Sequence, residues 1–238
     1  MKNSCVLVTG ATKGIGWAVS QRLADQGCHV VGLARNVADI DFPGYLYACD
    51  LAYAGETEEL LRVIREKYPV DAVVNCVGPT ISEPLGEVDL ASLYQTFDLS
   101  VRVAVQTVQA FAPGMKARKS GRIVNLCGRV AHGLAGHTSF SAAKSALLGC
   151  TRTWALELAP YGVTVNAVSP GPVETGLFRS QCPVGSDAEK AVLASVPMGR
   201  LAQADEIAAA VVFLLGDGAA FITGQEIGVD GGGSLAGR

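Results

Sequence analysis

Residues 121–150 hold the side chains whose types and spacing are best suited to chemistry. Within this stretch, residues 123–126 are an apolar run that predicts a buried strand, residues 128–136 form a glycine-rich loop, and a helical pattern begins near Thr138. Lys144 is the only charged residue from Thr138 to Thr151, on a face otherwise suited to burial. A lone lysine there either extends its ammonium group to the surface or is held at a functional site, and the stretch alone leaves both open.

Two histidines and a cysteine in or beside the same loop are further candidates. His137 precedes residue 140 by about one helical turn, and histidine titrates near neutral pH, so its ring is a candidate general acid. The alternative is that His132 and His137 are exposed loop residues. Cys127 is a candidate nucleophile, or a structural thiol beside a buried strand.

A glycine-rich turn near the start of the chain predicts a second site. It lies between a predicted strand over residues 5–8 and a predicted helix over residues 17–26, and a second strand follows over residues 29–33. Such a turn lets the backbone approach a phosphate at the helix N-terminus. A tight turn without a ligand is the alternative. The candidate residues are Gly10, Thr12, Lys13, Gly14, Ile15 and Gly16.

The elements that must position these residues alternate between strand and helix. Further strands are predicted over residues 45–49, 71–75, 123–126, 162–168 and 226–229, and further helices over residues 56–68, 90–116, 138–159 and 205–215. Continuous apolar strands indicate a parallel sheet covered on both faces. The prediction is an α/β fold: one Rossmann-like, doubly wound domain over residues 1–238 with about seven parallel strands. The less regular residues 176–201 are expected to form a lid.

Ligands of such a sheet bind beyond the carboxyl ends of its strands. This rule adds a set of candidate positions that follow the predicted strands: Arg35, Asp50, Leu51, Asn75, Gly78, Gly128, Pro170, Gly171 and Val173, with Thr175 close behind.

Composition excludes several classes of protein. The net charge of −3 comes without a basic run, which argues against nucleic-acid binding. No apolar run is long enough for a membrane span, and the early first strand leaves no room for a signal peptide. Seven cysteines without a CxxC pair predict reduced thiols in a cytoplasmic protein and no metal site.

Taken together, these pieces resemble the short-chain dehydrogenase/reductase family over the whole chain. The matching residues are Thr9-Gly10-xxx-Gly14-Ile15-Gly16, Asp50-Leu51, Asn75-Cys76-Val77-Gly78 for the usual Asn-Asn-Ala-Gly, Phe140-xxx-Lys144 for the usual Tyr-xxx-Lys, residues 170–175 and the closing residues 222–232. The resemblance implies a nicotinamide dinucleotide. Asp50 would then contact the adenine, and Asn75 and residues 170–175 would hold the rest of the cofactor.

Charge predicts which dinucleotide is preferred. Lys13 lies in the phosphate turn, and Arg35 follows the second strand, where the resemblance places an acid in NAD-preferring relatives. Two cations near the ribose favour a 2′-phosphate, and hence NADP(H) over NAD(H). The alternative is that both are solvated surface cations.

The chain departs from the family at the catalytic residues. By the resemblance, the catalytic Asn falls on Ser100, the Ser on Gly128 (or Cys127, one residue out of register) and the Tyr on Phe140, and Lys144 alone is retained. Carbonyl reduction needs a proton on oxygen, and Phe140 has none to give. None of the tyrosines lies in the loop or helix concerned. These are Tyr45, Tyr47, Tyr53, Tyr68, Tyr94 and Tyr161.

Three functions remain open at this point. The first is an NADP(H)-linked oxidoreductase for a carbonyl or alcohol, impaired or using water or His137 in place of tyrosine. The second is a cofactor-binding pseudoenzyme that serves as a partner subunit or sensor. The third is a non-redox catalyst of a dehydration or aldol-type step. The apolar lid residues favour an apolar or aromatic small-molecule substrate, and the resemblance implies a homo-oligomer, a tetramer or dimer.

Overall fold

Seven parallel strands form the central sheet of the computed structural model, which describes residues 2–235. The strands are β1 (Cys5–Thr9), β2 (His29–Ala34), β3 (Tyr45–Ala48), β4 (Val70–Asn75), β5 (Gly121–Leu126), β6 (Val163–Pro170) and β9 (Glu226–Val229). Their order is β3-β2-β1-β4-β5-β6-β9, and every neighbouring pair is parallel. The order reverses between β1 and β4, and a ligand crevice is expected at such a point.

Helices cover both faces of this sheet. They are α1 (Gly14–Asp25), α2 (Ala54–Lys67), α3 (Leu90–Phe97), α4 (Val103–Arg118), α5 (Thr138–Leu158), α6 (Gly176–Gln181), α7 (Asp187–Ala194) and α8 (Ala204–Leu215). Alternate strand residues face opposite layers: Leu7 and Val73 pack in the cluster with α2, α4 and α5, whereas Val6 packs with α1 and α8. The predicted α/β class and doubly wound sheet are confirmed. None of the helices described between residues 2 and 235 is long and apolar enough to cross a membrane.

The predicted helix over residues 90–116 is two helices joined by a π turn, Asp98–Arg102. Arg102 lies on this turn and donates to Asp98 at 2.5 Å and to the carbonyl oxygen of Leu51 at 2.5 Å. The hydrophobic pattern of a helix does not reveal one inserted residue, so the π turn between α3 and α4 was not predicted from the sequence. Pro113 does not end α4, because it lies on the solvent side, where the carbonyl it leaves unpaired can be hydrated.

The expected lid over residues 176–201 contains two short helices, α6 and α7. The side chain of Thr175 caps α6 by accepting from the Phe178 N–H at 3.1 Å, and Ser186 caps α7 by accepting from the Glu189 N–H at 3.1 Å. Arg179 pairs with both Glu174 and Glu189. The segment is therefore ordered by caps and ion pairs rather than by an apolar pattern. The residues just before and just after this segment pair as a two-stranded parallel sheet, β7 (Val173–Glu174) with β8 (Ala202–Gln203).

Candidate active site

The glycine turn after β1 forms a cradle at the start of α1. Gly10 and Gly14 have φ values of +67° and +49°, and a Cβ on Gly16 would lie 2.2 Å from the carbonyl oxygen of Gly10. No side chain in the described part of the chain caps the N-terminus of α1. The turn therefore presents backbone N–H groups and the positive end of a helix dipole, which fits the pyrophosphate of a dinucleotide.

One residue of the expected cofactor site, Thr175, lies against this cradle. A Cβ on Gly14 would lie 3.2 Å from Cγ2 of Thr175, so the segment after β6 lies directly against the turn. Gly171 packs on the backbone of Asp230, where a Cβ would come within 2.8 Å of its Cα. Among the other predicted residues, Lys13 and Arg35 are exposed and Leu51 is buried, while the remaining side chains are half-buried or buried. These are Thr12, Ile15, Asp50, Pro170 and Val173.

The Asn75 side chain takes part in a buried hydrogen-bond network. Its amide donates to Asn125 Oδ1 at 2.8 Å, and its oxygen accepts from Thr107 Oγ1 at 2.7 Å. Asn125 in turn donates to Thr151 Oγ1 at 2.8 Å. The Asn75 side chain therefore joins β4 to β5, α4 and α5 inside the core. Sequence reasoning missed this network, although polar residues in apolar strands were a signal for it.

Lys144 lies at a buried site and does not extend to the surface. It is 4% exposed, and its Nζ donates to the carbonyl oxygen of Leu126 at 2.7 Å. Burial lowers the pKa of the Lys144 ammonium; the groups that oppose this shift are the thiols of Cys127 and Cys76, and no carboxylate is among them.

Ser100 and Gly78 complete this buried corner. A Cβ on Gly78 would lie 2.8 Å from Lys144 Nζ and 3.1 Å from Ser100 Oγ. Ser100 is 2% exposed, and its Oγ has no hydrogen-bond partner within the described residues. An unpaired buried hydroxyl beside an amine with spare N–H groups is suited to a ligand hydroxyl or a water molecule. The corner therefore places an unpaired hydroxyl and an amine close together in the interior of the protein.

Phe140 presents its ring where the resemblance places a phenol. The Nζ of Lys144 lies 5.8 Å from the centroid of the Phe140 ring, and the two residues are one helical turn apart on α5. The tyrosines lie elsewhere: Tyr45, Tyr47 and Tyr68 surround Lys67 beside β3, and Tyr53, Tyr94 and Tyr161 are exposed. Within residues 2–235, no phenol supplies the missing acid.

The loop after β5 is held by a polar network that sequence reasoning missed. The Gly128 N–H donates to Ser169 Oγ at 3.3 Å, and Ser169 donates to Glu226 Oε1 at 2.6 Å. His132 Nε2 lies 2.8 Å from the same oxygen. The available signal was a glutamate in the apolar strand β9. Gly128 has φ +133°, a conformation that side-chain-bearing residues rarely adopt.

The other candidate acids and nucleophiles of this site are hydrogen-bonded or buried. His137 is half-buried at the start of α5, and its Nδ1 lies 2.9 Å from the carbonyl oxygen of Ala135. The ring thus bonds within its own loop. Burial raises the pKa of the Cys127 thiol to about 12 and that of Cys76 to about 11, so neither is a thiolate near neutral pH. No group of three or more potential metal ligands occurs among the residues described.

Comparisons with known proteins agree with this architecture. A family model described as Enoyl-(Acyl carrier protein) reductase matches residues 10–234. The acetoacetyl-CoA reductase of Allochromatium vinosum is 33% identical over 242 residues, covering 95% of this chain and 96% of that protein.

Solved structures show the same similarity. One described as a short chain dehydrogenase/reductase family protein has a TM-score of 0.89 at 36% identity and covers 98% of both chains. Another, from Beutenbergia cavernae, has a TM-score of 0.92 at 30% identity and covers 100% of this chain and 98% of that one. It is described as an NAD(P)-dependent gluconate 5-dehydrogenase with bound NADP at low occupancy. With its doubly wound sheet, its glycine cradle and these relatives, the chain belongs to the short-chain dehydrogenase/reductase family of oxidoreductases.

Proposed function

We propose that the protein is an NADP(H)-linked oxidoreductase in which ordinary carbonyl reduction is impaired. The observation that carries the proposal is the site around Lys144, where the amine is buried beside Gly78 and Ser100 while residue 140 is a phenylalanine. The residues that resemble the family's cofactor-binding residues support this proposal, and the tyrosine that would donate the proton is replaced by Phe140.

The cofactor site supports the choice of dinucleotide. Exposed cations at Lys13 and Arg35 lie at the two turns that flank the expected adenosine ribose, and each could pair with a 2′-phosphate. A solved relative described with bound NADP is consistent with this preference. When bound, the nicotinamide ring would exchange a hydride with the substrate.

The chain's own residues would bind and orient rather than donate protons. Lys144 has N–H groups beyond the one it gives to Leu126, and Ser100 Oγ is free to pair with a ribose hydroxyl or a water molecule. Phe140 and Gly128 supply neither an acid nor a hydroxyl. A ketone bound here would therefore lose the contribution of a positioned general acid, about 10²–10⁴-fold.

The missing proton donor also favours a second candidate function. If no substrate is turned over, the fold would serve as a cofactor-binding subunit or sensor, because the cradle does not depend on residue 140. Dehydration or aldol-type catalysis has weaker support: it would need an accessible acid or base, and the nearby thiols and histidines are buried or engaged.

Three further features belong to the proposal. Residues 176–201 act as a lid: Gln181 in α6 donates to the carbonyl oxygen of Thr80 at 3.2 Å, across the opening from the loop after β4. The lid's apolar residues favour an apolar or aromatic substrate. The protein works as a homo-oligomer, a tetramer or dimer, in the cytoplasm.

Titration of the purified protein with NADPH and NADH tests the cofactor assignment. NADPH should bind more tightly, and Arg35→Asp should weaken NADPH binding about 10–100-fold while changing NADH binding little, because a charge-assisted contact contributes roughly 1.5–3 kcal/mol. Arg65→Asp, at an exposed arginine on α2, is the matched control and should change neither. Equal affinities for both cofactors in the unmodified protein would contradict the NADP assignment.

A further inference from the structure

We propose that the hydride acceptor of this site is an iminium ion, a carbon–nitrogen double bond that already carries its positive charge, within an apolar or aromatic compound. The inference rests on the hydride chemistry proposed above and names its substrate class. It follows from two features of the site: the missing proton donor, and the aromatic face in its place.

The proton supply is the first feature. Reduction of a ketone leaves an alkoxide unless an acid protonates the oxygen, and neither residue 140 nor residue 128 supplies one here. Residue 140 is a ring without a hydroxyl, and residue 128 is a glycine at φ +133°. His132 is bound to Glu226, and His137 bonds within its own loop. The site therefore suits a reduction that needs no proton in the chemical step.

Hydride addition to an iminium ion meets this requirement. The hydride and its electron pair form the new C–H bond, and the π pair of the C=N bond becomes the lone pair of nitrogen. The dihydronicotinamide loses two electrons, and the iminium gains them and becomes a neutral amine. The negative charge of the hydride cancels the positive charge of the substrate, so the step balances without proton transfer.

The aromatic face is the second feature. The face of the Phe140 ring is turned toward Lys144 Nζ, 5.8 Å from the centroid, and the face of a benzene ring attracts cations and repels developing oxyanions. A ketone or a conjugated enone is similar enough in shape to an iminium ion to bind beside the ring. The ring disfavours their reduction, because both develop negative charge on oxygen when they accept a hydride. Because an iminium loses its charge in the transition state, the ring should improve binding rather than kcat.

Lys144 does not prevent a cation from binding. The residue is 4% exposed, and burial lowers the pKa of its ammonium group, which shifts the equilibrium in the direction of the neutral amine. Its Nζ is directed at the Leu126 carbonyl oxygen, to which it donates at 2.7 Å.

A matched pair of probes tests the inference. N-Methyl-3,4-dihydroisoquinolinium is permanently charged, and 1-tetralone is a ketone on the same type of bicyclic skeleton. With NADPH, and after subtraction of the uncatalysed rate, the unmodified protein should reduce the iminium with a kcat/KM at least about 100-fold above that for the ketone. Mass spectrometry of the product confirms which bond was reduced, and cyclohex-2-enone is included as a conjugated acceptor.

A binding measurement without turnover adds an independent readout. In the presence of NADP⁺, calorimetry should show that Phe140→Leu weakens iminium binding about 2–5-fold more than it weakens tetralone binding. Phe213→Leu, at an exposed position on α8, is the matched control and should alter neither.

The outcomes separate this inference from the proposed function. If NADPH binds and tetralone or cyclohexenone is reduced as fast as the iminium, the iminium inference is wrong and the oxidoreductase proposal stands. If NADPH binds and the iminium is not reduced, or if Phe140→Leu weakens iminium binding no more than tetralone binding, the inference is also overturned. If NADPH does not bind, both proposals fail.

Discussion

Phe140 shows how much of the chemistry depends on a single side chain. The ring lies one helical turn before a buried lysine, with the lysine Nζ 5.8 Å from its centroid, and it carries no hydroxyl. Gly128 is harder to replace than Phe140, because its φ of +133° would strain the backbone of any residue with a side chain. Space is available there, with the closest atom 3.5 Å from a Cβ, but the backbone conformation is not suited to serine.

We predict that Phe140→Tyr raises the kcat/KM for 1-tetralone with NADPH by about 10²–10⁴-fold, because the new hydroxyl would restore a positioned general acid one helical turn before Lys144. The gain should be measured against Phe213→Tyr, which adds a phenol at an exposed site on α8. Adding Gly128→Ser should lower stability by about 1–3 kcal/mol through backbone strain, unless the loop changes conformation.

A working enzyme with a replaced acid would behave differently. In that case the unmodified protein would reduce ketones well, His137→Ala would abolish the activity, and Phe140→Tyr would add nothing. Such a result would falsify the interpretation of the site as an impaired carbonyl reductase.

At the scale of elements, the start of α8 depends on one carboxylate. Glu206 accepts from the Gln203 N–H at 2.8 Å and from both terminal nitrogens of Arg200 at 2.7 Å. These bonds lower the pKa of Glu206 to about 2. The helix that they hold buries Ile207 and Val211 against the sheet.

Glu206→Gln should therefore lower the Tm at pH 7 by about 2 °C, as expected for the loss of a charged helix-capping contact. The folded state favours the carboxylate form of Glu206. The stabilisation that this carboxylate provides is therefore complete above the unfolded pKa of about 4.5 and is lost as pH falls toward 2. The Tm difference between the two proteins should thus narrow from pH 4.5 to pH 3. Glu58→Gln, at an exposed site on α2, is the control, and a Tm difference independent of pH would count against this account.

At the scale of the whole molecule, apolar surface remains uncovered on the described chain. Leu156 on α5 is 80% exposed, and Leu90 and Tyr94 on α3 are 62% and 70% exposed. The helices α3 to α5 thus carry more apolar surface than the sheet covers. Two copies related by a twofold axis would bury such a surface against itself.

Light scattering at micromolar concentration should give the mass of a dimer or a tetramer of the 24.6 kDa chain. Leu156→Glu should shift the mass downward, because it places a charge in the expected helix-pair interface, whereas Val63→Glu on α2 should not. A monomeric mass for the unmodified protein would rule out the homo-oligomer.

The sequence by itself determined the features that depend on local pattern. Apolar runs and turn residues were enough to predict the parallel sheet, and the glycines between β1 and α1 were enough to predict the cradle, since these signals extend over only a few residues. The spacing of Phe140 and Lys144 also needs no tertiary structure, because residues four apart share one helix face. The residue types alone showed that the phenol was absent.

Only the tertiary structure decided which distant groups meet. Lys144 lies beside Gly78 and Ser100, and Glu226 joins Ser169 to His132, although these partners are 44 to 94 residues apart along the chain. The core location of Asn75 and the backbone angle of Gly128 depend on the same packing. The physical reason is that periodicity assigns a residue to a face of its own element, whereas its neighbours across the sheet are set by strand order, by register and by the one extra residue of a π turn.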